Sequence, residues 1–193
     1  MKPSFRETKK EVSKRLSDRR HKRDEDGCVI IDMTVKNDDD FLSVYSTNEI
    51  PVIATEVAEF IENNTSSLHA SDPLTLRIYS NCIDESEQKD YREAIKEYYT
   101  DKYIVNEKEL KRNRIIIFLL MIAGVITLAL AFRINSNIWS EVVDIAAWVF
   151  LWEAVDIGTF KNRELRLKRK RYLAYMSMKV EFELLDARKE NDE

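Results

Sequence analysis

The sequence predicts an α+β protein in which a small cytoplasmic β-β-α-β-α domain is attached to a two-helix transmembrane hairpin. Residues 115–132 form a run of eighteen residues without a charge. At about 1.5 Å per residue, a helix of that length spans roughly 27 Å, close to the thickness of a bilayer core. A second apolar stretch, residues 138–160, follows after a short connection. Upstream, segments of strand-like and helix-like composition alternate, which is typical of a small mixed domain.

Four regions divide the 193 residues. Apolar residues concentrate in the middle of the chain, whereas the flanks are rich in charge. The part outside the two apolar helices is long enough for one small domain. We predict a basic, partly disordered arm over residues 1–26, a cytoplasmic α+β domain over 27–112, the transmembrane hairpin over 113–162, and a basic helix with a C-terminal strand over 163–193.

The N-terminal arm carries a dense series of positive charges from Lys2 to Arg23. Such an arm is attracted to anionic lipid headgroups or to nucleic acid. The alternative, which we favour, is a solvated and partly disordered tail. Phe5 is the one aromatic residue in the arm that could stack on a base, so nucleic acid is the less favoured partner.

Two strands are predicted at the start of the α+β domain. Residues 28–35 are rich in β-branched side chains and predict the first strand. Residues 36–40 contain Asn and three Asp in a row, which is typical of a turn. Residues 41–47 then predict a hairpin partner for the first strand.

Helical and strand-like segments follow as far as the first apolar helix. Residues 51–63 begin with a proline and predict a helix. Residues 74–79 alternate like a half-buried strand, and residues 84–112 have apolar side chains at helical spacing. This last helix leads into the apolar helix either directly or with a break near Asp101.

The end of the chain predicts one more strand. Apolar side chains from Met176 to Leu184 occupy alternate positions and polar ones lie between them, a period of two that favours a strand. A single strand needs a sheet to pair with. Our hypothesis is that it returns to the N-terminal sheet after the hairpin.

Positive charge brackets the hairpin and predicts its topology. Four basic residues lie between Lys108 and Arg114, and a basic run follows Phe160, whereas the connecting loop at residues 133–137 holds Arg133 alone. Positively charged flanks stay on the cytoplasmic side, so both termini are predicted there. The alternative is a buried helical hairpin of a soluble protein. The predicted contacts with anionic lipid are Arg163, Arg166, Lys168, Arg169, Lys170 and Arg171.

The second apolar helix is unusually acidic. Because a helix turns about 100° per residue, its polar side chains and two tryptophans share one side, with Glu153 beside them. We name this set the polar stripe: Glu141, Asp144, Trp148, Trp152, Glu153 and Asp156. The opposite side, which includes Ala147 and Ala154, is predicted to face lipid. Carboxylates in hydrocarbon are costly, so the stripe is either paired locally near the two interfaces, or it faces the first apolar helix, another subunit or water along an ion path.

The first apolar helix offers small side chains for close helix contact. Ala123, Thr127 and Ala131 recur every four residues, and Gly124 lies beside them. Small residues let two helix backbones approach each other in a membrane. We predict that this set, the small-residue groove, packs against another helix.

No motif in the sequence predicts catalysis, a cofactor or a metal site. The chain has no Gly-rich phosphate loop and no cluster of metal ligands, and His21 and His69 are far apart in polar segments. Cys28 and Cys82 are predicted as free thiols, with a disulfide as the alternative. We therefore expect a protein that is not an enzyme.

Residues 145–156, with Trp148, Trp152, Glu153 and Ala154, are followed by a basic run. This pattern resembles small bacterial two-helix membrane proteins in which a Trp-x-x-x-Trp-Glu-Ala segment ends the second helix. The resemblance implies a bacterial inner-membrane location and no particular activity. Our first hypothesis is a membrane-anchored cytoplasmic binding module, homo-oligomeric, that takes a protein or small ligand. The alternative is an oligomeric ion channel or membrane-disrupting effector.

Overall fold

A computed structural model of the chain describes residues 22–24, 26–37, 41–46, 51–134 and 137–185. Most of the predicted basic arm, residues 1–21, lies outside the described residues. The chain forms two compact units. The first comprises the chain up to Lys102 and again from Arg171, and the second comprises Tyr103–Lys170. The elements are, in order, β1 Val29–Thr34, α1 Thr55–Thr65, β2 Leu74–Tyr79, α2 Glu85–Ala131, α3 Asn137–Asp156, a π-helix Ile157–Lys161, α4 Asn162–Met176 and β3 Lys179–Glu183.

The first unit is built on a three-stranded parallel sheet in the order β1-β2-β3. Val29 pairs with Leu74, and Leu76 pairs with Val180, so alternate residues of all three strands share one face. On β1 and β2 that face is buried against α1 and the first turns of α2, where Ile61 and Ile95 are almost fully enclosed. The mixed α+β class predicted from the sequence is therefore correct.

The C-terminal strand does return to the sheet, because β3 pairs with β2 over Lys179–Glu183. It is shorter than predicted, since α4 continues through Met176 before the chain becomes extended. The outer edge of β3 is covered by Arg92 of α2. Its Nε donates to the carbonyl oxygen of Val180 at 3.2 Å, and its guanidinium lies 5.0 Å from the centre of the Phe182 ring. Arg92 thereby protects a sheet edge that could otherwise pair with another chain.

The predicted hairpin partner at residues 41–47 is wrong. In the described part of this segment the chain turns, with an isolated bridge between Leu42 and Ile53. Two serine hydroxyls account for this, since the Oγ of Ser43 accepts from the backbone of Tyr45 and the Oγ of Ser46 accepts from the backbone of Val52. Such local bonds compete with a strand ladder. The order of the N-terminal elements is thus β-α-β, not β-β-α-β.

Phe41 belongs to the core of the first unit although its segment forms no strand. Its side chain is fully buried and stacks on Tyr91 with 4.7 Å between ring centres. The predicted helix at 51–63 starts later, at Thr55, because Ile53 is engaged in the bridge and Ala54 is extended, with ψ 146°. Phe41, Ile53 and Ala54 therefore all contribute to the core of the first unit.

Three polar atoms of the core lie near the end of α1. The hydroxyls of Thr65 and Tyr175 are hydrogen-bonded at 2.6 Å, and the Thr65 Oγ also donates to the carbonyl oxygen of Ile61. Tyr99 packs on Tyr175 with ring centres 4.6 Å apart, and its buried hydroxyl has no hydrogen-bond partner among the described residues. Burial raises the pKa of both tyrosines above the ordinary value.

These raised pKa values predict alkaline sensitivity. In the unfolded chain both tyrosines ionise near pH 10, whereas the folded unit holds them neutral, so stability present below pH 10 is lost as the pH rises above it. Tyr175→Phe should cost about 1 kcal/mol at neutral pH, because it breaks the Thr65 bond, whereas Tyr99→Phe should cost less. Urea unfolding at pH 7 and pH 10.5 measures both effects. Equal losses for the two variants at pH 7 would contradict the assignment.

The second unit is a pair of helical arms. No break occurs near Asp101, since α2 runs without interruption from Glu85 to Ala131. The sequence offers no reason for a break, because there is no Pro in α2 and no Gly before Gly124. The returning arm comprises α3, the π-helix and the first half of α4. The predicted helix at 138–160 is therefore helical throughout, but it contains a widened turn where α3 ends.

Candidate functional site

The two arms of the second unit run antiparallel and touch through small residues. A Cβ added at Gly124 would lie 2.9 Å from Cγ and Cδ2 of Leu151 and 3.5 Å from the carbonyl oxygen of Ala147. Towards the turn, the Oγ of Ser140 donates to the carbonyl oxygen of Ala131 at 3.1 Å. The backbones of the two arms therefore approach closely where the absence of a side chain allows it.

The four residues of the small-residue groove differ in how deeply they are buried. Gly124 and Ala131 are buried, whereas Ala123 and Thr127 are half-buried. The hydroxyl of Thr127 donates to the carbonyl oxygen of Ala123 within the same helix. The structure thus brings Gly124 and Ala131 to the helix contact and leaves the other two beside it.

Buried asparagines hold the arms together beyond the apolar segments. The Nδ2 of Asn113 donates to the Oδ1 of Asn162 at 3.0 Å, and the Nδ2 of Asn106 donates to the carbonyl oxygen of Leu165 at 3.0 Å. All three asparagines are at most 8% exposed. A buried polar pair fixes the register of two helices, because sliding leaves its atoms without partners. Sequence reasoning missed this contact, although the seven-residue spacing of Asn106 and Asn113 places both on one face.

Removing one asparagine of the pair should be worse than removing both. Asn113→Leu leaves the Oδ1 of Asn162 buried without its donor and should cost about 1–3 kcal/mol. The double variant with Asn162→Leu should recover most of that loss, since no polar atom remains. Unfolding of the purified protein in detergent, followed by circular dichroism, gives the double-mutant cycle. A double variant at least as unstable as the sum of the singles would refute the register role.

The polar stripe lies on the side of α3 that points away from α2. Trp148 is 62% exposed and Trp152 is 72% exposed. Glu141 and Glu153 are also exposed, and Asp144 and Asp156 are half-buried. Four of the six residues, Glu141, Trp148, Trp152 and Glu153, are therefore exposed on one side of the helix, and Asp144 and Asp156 are partly covered.

The face predicted to meet lipid is instead the packing face. Ala147, Ala154 and Ile157 are at most 6% exposed. The prediction assigned them to lipid because they are apolar, but small side chains are what a close helix contact requires. The sides of α3 are thus reversed relative to the sequence interpretation.

Lys161, the last residue of the π-helix, forms ion pairs with two carboxylates of the polar stripe. Its Nζ lies 3.3 Å from Oε1 of Glu153 and 3.9 Å from Oδ2 of Asp156. The long lysine side chain reaches back along its own helix to Glu153, which explains how that carboxylate is compensated.

An apolar surface surrounds the middle of both arms. Within the described residues, α2 is the one helix long and apolar enough to span a membrane, and its most apolar stretch has a mean hydropathy of 2.6 and is 11% buried. A core helix of a soluble protein would be mostly buried. On α3 the exposed large apolar residues continue alongside the four carboxylates. Representative members of this exposed surface are Phe118, Val125, Leu130, Ile145, Val149 and Val155.

The basic residues after the hairpin differ in whether they contact other residues of the chain. Arg163, Arg166, Lys168 and Lys170 are exposed. Arg169, in contrast, forms an ion pair with Glu107 at 2.9 Å, and Arg171 donates to the carbonyl oxygen of Ser66 at 3.1 Å. Of the six predicted lipid contacts, Arg169 and Arg171 are therefore engaged in contacts within their own units, and the exposed Lys168 forms an ion pair with Glu164.

In the first unit, a groove of about 330 Å³ opens at the carboxyl end of β1. Its walls include Val35 and Lys36 after the strand, and Glu56 and Phe60 of α1. Open parallel sheets bind ligands at the carboxyl ends of their strands. Cys82 lies at the same edge, after β2, with its Sγ 3.1 Å from the Oγ of Ser80, and both cysteines are free thiols.

No group of three or more potential metal ligands occurs in the part of the chain that the structure describes. Comparison with protein-family models, with curated proteins and with solved structures finds no match.

Proposed function

We propose that this chain is a bacterial inner-membrane protein in which residues 115–132 and 138–160 cross the bilayer as a hairpin and anchor a cytoplasmic α+β binding unit. The exposed apolar surface of the two arms supports the hairpin. Contiguous apolar surface of this kind marks contact with lipid or protein. Lipid fits best, since the apolar residues surround both arms and basic residues flank them at one end.

The observation that carries the topology is the pairing of β2 with β3. β2 precedes both apolar segments in the chain and β3 follows them, yet they are neighbours in one sheet. A sheet cannot be divided across a bilayer, because its backbone hydrogen bonds join adjacent strands. The pairing therefore supports an even number of crossings for a chain anchored by these segments. With two crossings, we assign both termini to the side of the positive flanks, the cytoplasm.

Membrane extraction of single variants tests the anchor. The wild type should remain in the membrane pellet after carbonate washing and dissolve in detergent. Val125→Arg places a charge in the middle of the exposed apolar surface. It should lower the fraction of protein in the membrane pellet, since a central arginine makes membrane insertion of a helix roughly 2.5–3.5 kcal/mol less favourable. The matched control is Val105→Arg, at an equally exposed position outside the apolar segment. A wild-type protein that is monomeric and soluble without detergent contradicts the proposal.

The binding role is assigned to the groove at the carboxyl end of β1, with a small ligand or a protein segment as its occupant.

Homo-oligomerisation is assigned to the polar stripe, because carboxylates and tryptophans on the outer side of α3 need polar cover in a bilayer. Trp148→Cys should form disulfide-linked dimers in membranes under oxidation, and Val125→Cys on the other arm should form fewer. Equal cross-linking at both positions would contradict the oligomer.

The exposed stripe also favours a second function, an oligomeric ion channel or membrane-disrupting effector. Glu153 and Asp156 would then line the path together with Lys161. Overexpression should cause dye leakage that disappears in Glu153→Gln with Asp156→Asn. If cells show no dye leakage at high expression, the channel hypothesis is contradicted and the anchored binding unit remains the proposed function.

A further inference from the structure

A second cavity lies between the two arms, just outside the predicted apolar segments. It has a volume of about 390 Å³. Arg112 and Asn113 come from the first arm, and Lys161 and Lys168 come from the returning arm. Asn113 directly precedes the basic residue before the first apolar segment, and Lys161 directly follows the second. We name this cavity the interarm groove.

The interarm groove combines cations with an apolar wall. Ile116 and Ile157, which belong to the apolar segments, line it beside the three basic side chains. The cations and the apolar wall thus meet at the level where each apolar segment ends. A ligand that fills the groove needs an anionic head and an apolar tail.

Each cation of the groove has an acidic neighbour. Glu109 and Glu164 also line the groove, and Lys161 pairs with Glu153 and Asp156 of the polar stripe. Arg112 lies 3.6 Å from Glu109, and Lys168 lies 2.8 Å from Glu164. The hydrogen bond from Lys168 lowers the pKa of Glu164. The side chains of both pairs are between 45% and 70% exposed. Exposed ion pairs contribute little to stability, so the pairs of Arg112 with Glu109 and of Lys168 with Glu164 can open at small cost when a phosphate binds.

The buried asparagines hold the groove open. The bond between Asn113, which lines the groove, and Asn162 joins the arms beside the cavity and fixes their separation there. The three cations therefore stand on two helices whose register is set before a ligand arrives. Such preorganisation separates a binding site from a diffuse basic surface.

We propose that the interarm groove binds one anionic phospholipid, with its phosphate between Arg112, Lys161 and Lys168 and an acyl chain along Ile116 and Ile157. This inference rests on the proposed membrane hairpin. Basic pockets between transmembrane helices on the cytoplasmic side bind lipid headgroups in this way. The site differs from the exposed basic run, because its cations come from both arms.

Lipid binding to purified full-length protein tests the groove. The protein in a zwitterionic detergent is titrated with phosphatidylglycerol or with phosphatidylcholine of the same chains, and native mass spectrometry counts bound lipid. The groove variant carries Arg112→Gln, Lys161→Gln and Lys168→Gln. The matched control carries Arg163→Gln, Arg166→Gln and Lys170→Gln, which removes the same charge from exposed positions outside the cavity.

The expected result is one tightly bound phosphatidylglycerol and no comparable phosphatidylcholine. The groove variant should weaken that binding about tenfold or more and the control less than about threefold, given the usual contribution of a basic residue near an anionic lipid surface. Excess glycerol phosphate should not displace the lipid. Equal losses in the two variants, or displacement by glycerol phosphate, would overturn the proposal.

Two further comparisons separate loss of the site from loss of the fold or the anchor. The charge-keeping variant with Arg112→Lys, Lys161→Arg and Lys168→Arg should retain the bound lipid, and its failure to do so with normal helix content would count against the site. If the triple glutamine variant does not fold, Lys168→Gln against Lys170→Gln repeats the comparison with one charge. Protein that stays in the carbonate-washed pellet but shows no lipid preference refutes the groove alone, whereas soluble protein refutes the anchor.

Discussion

Deleting residues 177–193 should unfold the α+β unit. The deletion removes β3, whose Val180 and Phe182 pack on the core, and it exposes β2 as a new sheet edge. Met178, 9% exposed, is lost from the same core. Losing several buried apolar side chains and a strand ladder should cost about 4 kcal/mol or more, a large share of the stability of a small domain. Limited proteolysis of the purified protein should show rapid cleavage between β1 and α2.

The matched control deletes residues 186–193 and keeps β3. It should retain the wild-type proteolysis rate, because the described strand ends at Glu183. Resistance that is unchanged by the longer deletion would mean that β3 does not belong to the sheet. The topological argument for two membrane crossings would then lose its support.

Replacing Gly124 by leucine should destabilise the helical hairpin. Even a Cβ at this position would meet the Cγ of Leu151 at 2.9 Å, so a whole side chain must separate the arms. Overpacking of this kind should cost about 1–3 kcal/mol. Thermal unfolding in detergent, followed by circular dichroism at a helical wavelength, measures the loss. Gly158→Ala is the control, since a Cβ there lies at an ordinary 3.6 Å from Ile117.

A compensating substitution distinguishes a clash from loss of a flexible glycine. Leu151→Ala removes the atoms that Gly124→Leu would strike, so the double variant should be more stable than the sum of the two single losses predicts. Additive losses would show that Gly124 and Leu151 do not touch.

The strands and helices that the sequence predicts well are those whose own pattern determines them. The alternation at residues 74–79 predicts a half-buried strand. β2 covers the same span, but five of its six residues are buried. Residues 41–47 have strand-like composition too, but the hydroxyls of Ser43 and Ser46 bond the local backbone, and Phe41 is drawn into the core. Which of these competing contacts forms depends on the tertiary structure, so local composition alone misleads there.

The candidate sites show the same division. Helical periodicity places the polar stripe on one side of α3, but periodicity cannot tell which side meets the neighbouring helix. Gly124 and Leu151 decide that side through close contact, which needs both helices to be considered together. The sequence alone does not reveal the interarm groove, because Arg112 and Lys161 lie far apart in the chain and belong to separate basic flanks.

Thiol accessibility in living cells tests the membrane hairpin most directly. Cys82 is exposed in the α+β unit, so a membrane-impermeant maleimide should label the wild type only after the cells are permeabilised. A second variant carries Cys28→Ser, Cys82→Ser and Ile134→Cys. Its new thiol, in the connection between the arms, should be labelled when the outer membrane has been permeabilised and the inner membrane is still intact. Labelling of Cys82 from outside, or protection of the thiol at position 134 until lysis, would contradict the two-crossing topology.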